Sequence, residues 1–481
     1  MPRQIVIEPV TRIEGHAKVT IVLDDAGRVE RARFHVNEFR GFEKFCEGRP
    51  FYEMPLITER ICGICPVSHH LASAKACDQI VGADPPPTAR LLRELLHMGQ
   101  LIQSHSMHFF HLAGPDLVLG FDHDPATRNV VGIYQANPEL ATKAIALRKF
   151  GQEIIAHLGE RRIHPNFAVP GGVNATLSAP ARDAILRQID QMVGYVRDAL
   201  AVAAGWMETH ARDLARFAVF PTAYMGMVGP QNALELHDGP LRVLDPAGRE
   251  VRTFDGADYL DHIAEHVEPW SYLKFPYLRD LGFPGGAYRV GPLARLNIAD
   301  RITTPLAAAE FARFRQLNGG KPVEGSLYYH LARLIEDLYA VERARQILED
   351  PDALGADVQD GAGRGVRNLR GVGVLEAPRG TLWHDYRVNA DGVVVSVNLI
   401  VATGHNNYAM SRAVEEVARE YIEPGAEVTE GMLNRVEAAI RAYDPCLSCS
   451  THALGRMPIE LSVVAPSGVA LSRTARAATF H

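Results

Sequence analysis

Two spacings of apolar side chains organise the sequence. A period of two with turn residues at its centre marks three hairpins: Ala17–Leu23 and Val29–Val36 around Asp24-Asp25-Ala26-Gly27, Leu241–Phe254 around Asp245-Pro246-Ala247-Gly248, and Asp385–Val401 around Asn389-Ala390-Asp391-Gly392. A helical period marks four long segments. After Pro85-Pro86-Pro87, Thr88 is placed to cap a helix that carries Leu92, Leu95, Leu96 and Ile102 on to about Leu112. A second runs over Ala141–Leu158, a third from Pro180 to about Phe217 with Ile185, Ile189, Met192, Val196 and Leu200 in one stripe, and a fourth over Leu327–Leu348. Long amphipathic helices interrupted by short strands predict an α+β fold, mainly α, with a long-helix bundle as its core and small β-hairpins or sheets at the periphery.

No interior linker, low-complexity tract or repeat divides the chain, so one domain is expected. The stretch from Gly226 to Gly325 is rich in Gly and Pro and reads as long loops, of the kind that form functional surface or partner contacts. Gly361-Ala362-Gly363-Arg364-Gly365 has neither the spacing nor the preceding strand of a dinucleotide fingerprint, and nothing matches a phosphate loop. Nicotinamide or flavin chemistry would therefore belong to another subunit.

Composition removes several classes of partner. Lys+Arg number 50 against 57 Asp+Glu, a net charge of −7, so no basic excess exists to displace phosphate counterions and no nucleic-acid partner is expected. The longest apolar run, Val393–Ala402, is interrupted by Ser396 and Asn398, which predicts no membrane span. The opening MPRQIVIEPV lacks the apolar stretch and cleavage site of a secretory signal, which points to the cytoplasm. Six cysteines are too few for a disulfide scaffold.

Their placement carries the chemistry. Cys46 and Cys77 stand alone and read as small buried side chains. Cys62/Cys65 and Cys446/Cys449 form two C-x-x-C pairs near opposite ends of the chain. Pro66 suits the first turn of a helix running to about Val81, whose free N–H groups and positive end favour thiolate at Cys65. The second pair follows a helical pattern, Glu430 to Tyr443, that stops at Pro445. One C-x-x-C could be redox-active, half a zinc site, or inert. Two pairs nearly a whole chain apart lack the spacing of a zinc ribbon, about 15 to 20 residues, and suit a deeply buried metal centre whose soft sulfurs select Zn, Ni, Cu(I) or Fe. His105, His108 and His111 recur along one helix but read as satisfied core histidines, and His69, four residues past Cys65, reads as a hydrogen-bond partner for a cysteine sulfur.

Five motifs in order, Arg12-Ile13-Glu14-Gly15-His16, Phe39-Arg40-Gly41-Phe42-Glu43, Arg60-Ile61-Cys62-Gly63-Ile64-Cys65, Glu376-Ala377-Pro378-Arg379-Gly380 and Asp444-Pro445-Cys446-Leu447-Ser448-Cys449-Ser450-Thr451-His452, span nearly the whole chain. Together they resemble the large, catalytic subunit of nickel-iron hydrogenases, and the fuller cysteine strings are most similar to the cytoplasmic NAD-reducing, bidirectional group. The resemblance implies a Ni-Fe centre in which Cys62 and Cys446 are terminal on nickel, Cys65 and Cys449 bridge to iron, and the iron keeps one CO and two cyanides. Four thiolates and two cyanides bring about six negative charges against about four from two divalent metals, an excess that needs compensation when buried. By the same resemblance Arg379 stands over the open face of the metals, Asp116 orients that arginine, and Thr403 bonds a cyanide. Glu14 takes the proton that the Cys446 sulfur receives. Glu43, the Leu399 carbonyl and His452 hold a Mg ion. The implied reaction is reversible heterolytic cleavage of H2, with the metals as Lewis acid and template and the proton passing to a thiolate or to Arg379. Electrons would leave through an iron-sulfur small subunit to diaphorase subunits carrying FMN, NAD and iron-sulfur clusters, because no cysteines remain here for a cluster.

Other classes share parts of this pattern. A regulatory H2 sensor has the metal site without a removable tail, the homologous quinone-site subunit of respiratory complex I has lost the cysteine pairs, and a structural zinc site needs only the sulfurs. A deazaflavin could replace NAD as acceptor. The resemblance also divides the chain into a large-subunit domain, 1–452, and an extension, 453–481, which the family removes with a maturation endopeptidase once nickel-insertion factors have acted. Within the extension Ile459–Val464 and Val469–Leu471, around Pro466-Ser467-Gly468, read as a hairpin. Mass spectrometry of the active protein is expected to find His452 as its C-terminus, and a fully active chain of 481 residues would overturn this.

Overall fold

Helix boundaries follow local signals in the chain. The computed structural model describes residues 3–361, 365–452, 459–464 and 470–476. Among these, the helices of twelve or more residues are α1 (Pro66–Val81), α2 (Pro87–Met107), α3 (Pro138–Gly159), α4 (Ala179–Thr209), α5 (Pro305–Gln316), α6 (Tyr328–Glu349), α7 (Asn407–Tyr421) and α8 (Glu430–Arg441). Proline occupies the first turn of α1 to α5, where its missing N–H costs nothing. Asn137, Ser178 and Thr429 cap α3, α4 and α8, accepting the amides of Leu140, Ala181 and Met432.

Three helix ends differ from the sequence reading. Thr88 is not a cap: Pro87, already set at a helical φ, starts α2 one residue earlier, and the Thr88 hydroxyl donates to the Asp352 carbonyl at 2.9 Å. Beyond Met107 the chain continues in wider π-type turns, His108–Ala113 and Pro115–Leu119. Pro115 cannot donate and crowds the carbonyl four residues back, which favours the wider winding. The third predicted helix breaks at His210, whose ring stacks on Trp206 at 4.4 Å, and a separate turn covers Ala211–Leu214.

α2 packs against α3 and α6, and α6 against α4, so the predicted bundle is present. One buried apolar cluster extends through it from Ile7 to Cys449. No helix among the described residues is long and apolar enough to cross a membrane. The sheets are small and separate, but each hairpin recruits more than periodicity showed. Arg3–Ile7 joins the N-terminal hairpin; Ala223–Met227 and, in parallel, Tyr288–Arg289 extend the second; Arg370–Ala377 pairs with Gly380–Val388 to extend the third. Gly226–Gly325 is accordingly not a set of long loops. It holds strands of two to five residues, too short for a periodicity window, together with the helix Pro292–Ile298 and α5. The extension forms an antiparallel hairpin, Ile459–Val464 with Ala470–Arg476, whose turn lies outside the described residues, as does Ala362-Gly363-Arg364 of the glycine-rich run.

The contact between α1 and the strand Arg370–Ala377 sets the site. Gly371 and Gly373 share one face of that strand, and a Cβ on them would lie 2.0 Å from the Ala76 carbonyl oxygen and 1.8 Å from that of Ala72. Helix backbone therefore rests on strand backbone, and the two run in opposite directions. The start of α1, with Cys65, meets the end of the strand, with Arg379. Gly373→Ala forces these backbones apart and is expected to lower the unfolding free energy by about 1–3 kcal/mol; denaturant melts unchanged from wild type would refute the contact.

Candidate metal centre

Two turns at opposite ends of the chain deliver four sulfurs to one point. Cys62 follows a 3-10 turn, Glu59–Ile61; Cys65 is the N-cap of α1; Cys446 and Cys449 lie in the turn after α8. Their Sγ atoms all lie within 4.8 Å of one another, and no other group of three or more potential His, Cys, Asp or Glu ligands is as close among the described residues. Cys62 and Cys446 are 3.4 Å apart, Cys65 and Cys449 3.7 Å, and Cys446 and Cys449 2.8 Å. None is in a disulfide and all are buried. A tetrahedral thiolate site with metal–sulfur bonds of about 2.3 Å has edges of about 3.8 Å; the Cys65–Cys449 and Cys62–Cys446 separations are close to that, while Cys446 and Cys449 stand closer than metal-sharing sulfurs would.

Electrostatics point the same way. Hydrogen bonds from the thiols of Cys446, Cys449 and Cys62 push the Cys65 pKa well below the thiol value, while burial pushes Cys446 and Cys449 well above it. Cys65, the sulfur whose thiolate is favoured, lies at the positive end of α1. Charge on Cys446 and Cys449 requires a cation. Cys62 Sγ also accepts the amides of Ile64 and Cys65 at 3.2 and 3.3 Å.

Arg379 is a protein cation that interacts electrostatically with these sulfurs. It sits in a two-residue turn, Pro378-Arg379, between strands paired at Ala377 and Gly380, with proline where a tight turn favours it. The side chain is buried; Nε donates to the Asp444 carbonyl at 2.7 Å, Nη2 to Asp444 Oδ1 at 3.0 Å and Nη1 to Ser104 Oγ at 3.4 Å. Burial lowers its pKa, but the Asp444 carboxylate and the thiolates of Cys446, Cys65 and Cys62 outweigh burial and hold it well above the ordinary value.

The carboxylate that orients Arg379 is thus Asp444, not Asp116. Asp116 projects from the second π-type turn and pairs with Arg12 at 2.5 Å and Arg441 at 2.8 Å, with the Asn434 amide at 3.0 Å. Burial raises its pKa, but Arg441 and Arg12 outweigh this and hold it below the usual carboxylate value. It ties the N-terminal motif to α8. Asp444 and Ser104 were missed, although Asp444 opens the second cysteine motif.

Glu14 does lie beside Cys446. The two residues form a parallel β-bridge, the Leu447 amide donates to the Glu14 carbonyl at 3.1 Å, and the Ser448 amide donates to Glu14 Oε2 at 3.1 Å. Ser448 Oγ donates to Glu38 at 2.8 Å, and Glu38 lies 3.7 Å from the exposed His16. Thr403 Oγ1 accepts the Cys446 amide at 3.0 Å. His69, inside α1, pairs its Nδ1 with His384 Nε2 at 3.0 Å and contributes to the lowered pKa of Cys65.

Glu43, Leu399 and His452 line one cavity of about 20 Å³, large enough for a water or a small ion. Glu43 Oε1 accepts the Leu399 amide at 2.9 Å, and His452 Nε2 lies against the Cys449 carbonyl while its Nδ1 has no protein partner. The three helical histidines diverge: His105 pairs with Glu336, His108 with the Arg441 carbonyl, and burial pushes all three pKa values down, His105 to about 4. Cys46 and Cys77 are fully buried away from the four sulfurs, and burial raises both thiol pKa values, Cys46 to about 12.

Comparison with known proteins places this geometry. The family profile described as nickel-dependent hydrogenase matches residues 40–131 and 245–452, and one described as HoxL-like matches residues 4–39. The chain is 44% identical to the NAD-reducing hydrogenase HoxS subunit beta of Cupriavidus necator, over 99% of this chain and 100% of that protein. It is also 44% identical to an F420-non-reducing hydrogenase subunit of Methanothermobacter thermautotrophicus, over 94% and 95% of the two. Its fold superposes with a TM-score of 0.91 and 47% identity on a crystal structure of an NAD+-reducing nickel-iron hydrogenase in the H2-reduced state, covering 94% of this chain and 99% of that one. A Ni-Fe-Se hydrogenase from D. vulgaris Hildenborough matches with a TM-score of 0.77 at 25% identity, over 94% of this chain and 100% of that one.

Cys65→Ser removes the most readily ionised sulfur and is expected to abolish stoichiometric metal binding, read by elemental analysis of purified protein. Cys46→Ser, remote from the cluster, should retain the metal, and equal metal in both variants would exclude the four sulfurs as ligands.

Proposed function

The chain belongs to the nickel-dependent hydrogenase large-subunit family, and from that membership we propose that it is the catalytic subunit of an NAD-reducing hydrogenase that reversibly and heterolytically cleaves H2. The convergence of four buried sulfurs with a buried arginine whose charge they favour carries the reading. Cys62, Cys65, Cys446 and Cys449 would together hold the nickel and an iron carrying one CO and two cyanides. That centre, when bound, supplies the Lewis acidity that polarises H2.

The chain's own residues then manage charge and protons. Glu14 is bridged through its backbone to Cys446, and the Glu14 carboxylate would take the proton from that sulfur. Ser448, Glu38 and the exposed His16 continue from Glu14 towards solvent. Arg379, fixed by Asp444 and Ser104, keeps a cation over the anionic sulfurs and offers donors to the reacting side. The Thr403 hydroxyl, which accepts from Cys446 N, still has its hydrogen to donate to a cyanide. Glu43, the Leu399 carbonyl and His452 supply the oxygen and imidazole donors for a Mg ion in their shared cavity.

The described cysteines outside the cluster are isolated, so electrons would leave through an iron-sulfur small subunit. The likeness to an NAD-reducing hydrogenase subunit supports onward transfer to diaphorase subunits with FMN, iron-sulfur clusters and NAD, and hence work in the cytoplasm. Residues 1–452 would form the working domain, and 453–481 would be cut away by a maturation endopeptidase after nickel-insertion factors load the site.

Glu14→Gln keeps the hydrogen bond from Ser448 but holds no exchangeable carboxyl proton. The holo complex is expected to retain nickel, iron and the infrared bands of iron-bound CO and cyanide, while H2 turnover falls by about 10²-fold or more. Wild-type turnover would remove Glu14 from the proton route, and zinc without those bands in the wild-type protein would overturn the metal assignment.

A further inference from the structure

A second buried arginine, Arg295, reaches the turn that carries Arg379. It lies on the helix Pro292–Ile298 and is fully buried. Its guanidinium has five N–H groups in a rigid fork, and the surroundings offer an acceptor to each. Nε and Nη2 donate to the two oxygens of Glu336 at 2.7 and 2.6 Å, Nη1 donates to Glu376 Oε2 at 2.8 Å and to the Ala377 carbonyl at 2.9 Å, and Nη2 donates also to the Pro378 carbonyl at 3.3 Å. Both glutamates are held in turn: His105 Nε2 lies 3.0 Å from Glu336 Oε2, and Glu376 Oε1 accepts from the Thr381 hydroxyl at 2.7 Å and the Met227 amide at 3.1 Å.

Backbone contact ties the same two elements independently. Gly291, at φ +88°, precedes the Arg295 helix, and a Cβ there would stand 2.8 Å from the carbonyl oxygen of Arg379. A Cβ on Gly380 would stand 2.2 Å from Val290 Cγ2. The turn and the base of the helix thus touch directly, Gly291 against the Arg379 carbonyl and Gly380 against Val290. Pro378 has no N–H, so this side of the turn presents carbonyls, and a donor fork is what can grip it.

We propose that Arg295 is a positioning residue of the metal centre: with Glu336 and Glu376 it clamps the carbonyls of Ala377 and Pro378 and so sets where the Arg379 guanidinium stands over the sulfurs. This gives the glutamate of the Glu376-Ala377-Pro378-Arg379-Gly380 motif a task, and it rests on the reading that Arg379 acts at the metals. A lysine at 295 keeps the charge between the glutamates but has three donors on one nitrogen and cannot span two carboxylates and two carbonyls.

The experiment compares wild type, Arg295→Lys, Arg379→Lys and the double variant as holo complexes, by metal content, the infrared bands of iron-bound CO and cyanide, and H2 turnover. Arg295→Lys is expected to keep nickel and iron, to shift the bands in the same direction as Arg379→Lys, and to lose turnover roughly 10- to 100-fold, the cost of misplacing a reacting-site group. The double variant should be no slower than Arg379→Lys alone, because the first residue acts through the second. Wild-type turnover in Arg379→Lys would defeat the reading of Arg379 itself. Loss in Arg379→Lys with wild-type bands and turnover in Arg295→Lys would overturn only the positioning role, and so would losses that multiply in the double variant. Should Arg295→Lys fail to accumulate, Glu376→Gln, close to isosteric, is expected to move bands and turnover in the same direction by less; no movement in either would overturn the proposal.

Discussion

Sulfur is crowded in this protein to a degree that neutral thiols do not explain. Four Sγ atoms within 4.8 Å of one another, all buried and none in a disulfide, become a stable arrangement when positive charge lies among and above them. Much of the surrounding architecture answers that requirement. The N-terminus of α1 addresses Cys65, amides address Cys62 Sγ, and Arg379 lies against the cluster with its own charge secured by Asp444. The charge balance still requires metal, which is why a sulfur-only donor set in a nickel-dependent family is a coherent pairing of fold and chemistry.

Bringing the chain's two ends together is a separate problem, solved by polar contacts. Asp116, in the π-type turn that Pro115 opens, receives Arg12 from the N-terminal motif and Arg441 from α8, while Thr11 donates to Glu437. These contacts place Glu14 alongside Cys446 as a parallel bridge. Two residues more than four hundred positions apart in sequence are thereby made neighbours by backbone hydrogen bonds and not by a flexible side chain's reach. Such pre-organisation limits the motion that the proposed proton transfer would have to wait for.

The helices and the cysteine turns were legible because each rests on a local signal: a stripe, a cap, a proline, a paired spacing. The strand Arg370–Ala377 was not, since it is buried nearly throughout and carries glycine where alternation would show a side chain. The strands between Gly226 and Gly325 are shorter than any useful window. At the centre, Cys62, Cys65, Cys446, Cys449, Arg379 and Glu14 come together, yet the partner of Arg379 was misassigned. A carboxylate's choice among several arginines is settled by three-dimensional packing, and Asp116 and Asp444 look alike as letters in a sequence. Only the π-type turns, which direct Asp116 towards Arg12 and Arg441, separate their roles.

Arg295 sharpens the question of what buried charge is for. Removing an arginine and two carboxylates from water costs several kcal/mol per ion before their mutual attraction is counted, and well-packed apolar residues often do as well or better for stability. A cluster retained for stability alone would need only paired charges. This one spends three of its five donors outside the Glu336 pair, on Glu376 and on the two carbonyls immediately before Arg379. Directed bonds of that kind fix a backbone in place more tightly than apolar packing, which tolerates small slides. Where the neighbouring guanidinium must stand still over an anionic centre, a network that is costly for the fold and exact in its geometry is the arrangement that physical chemistry favours.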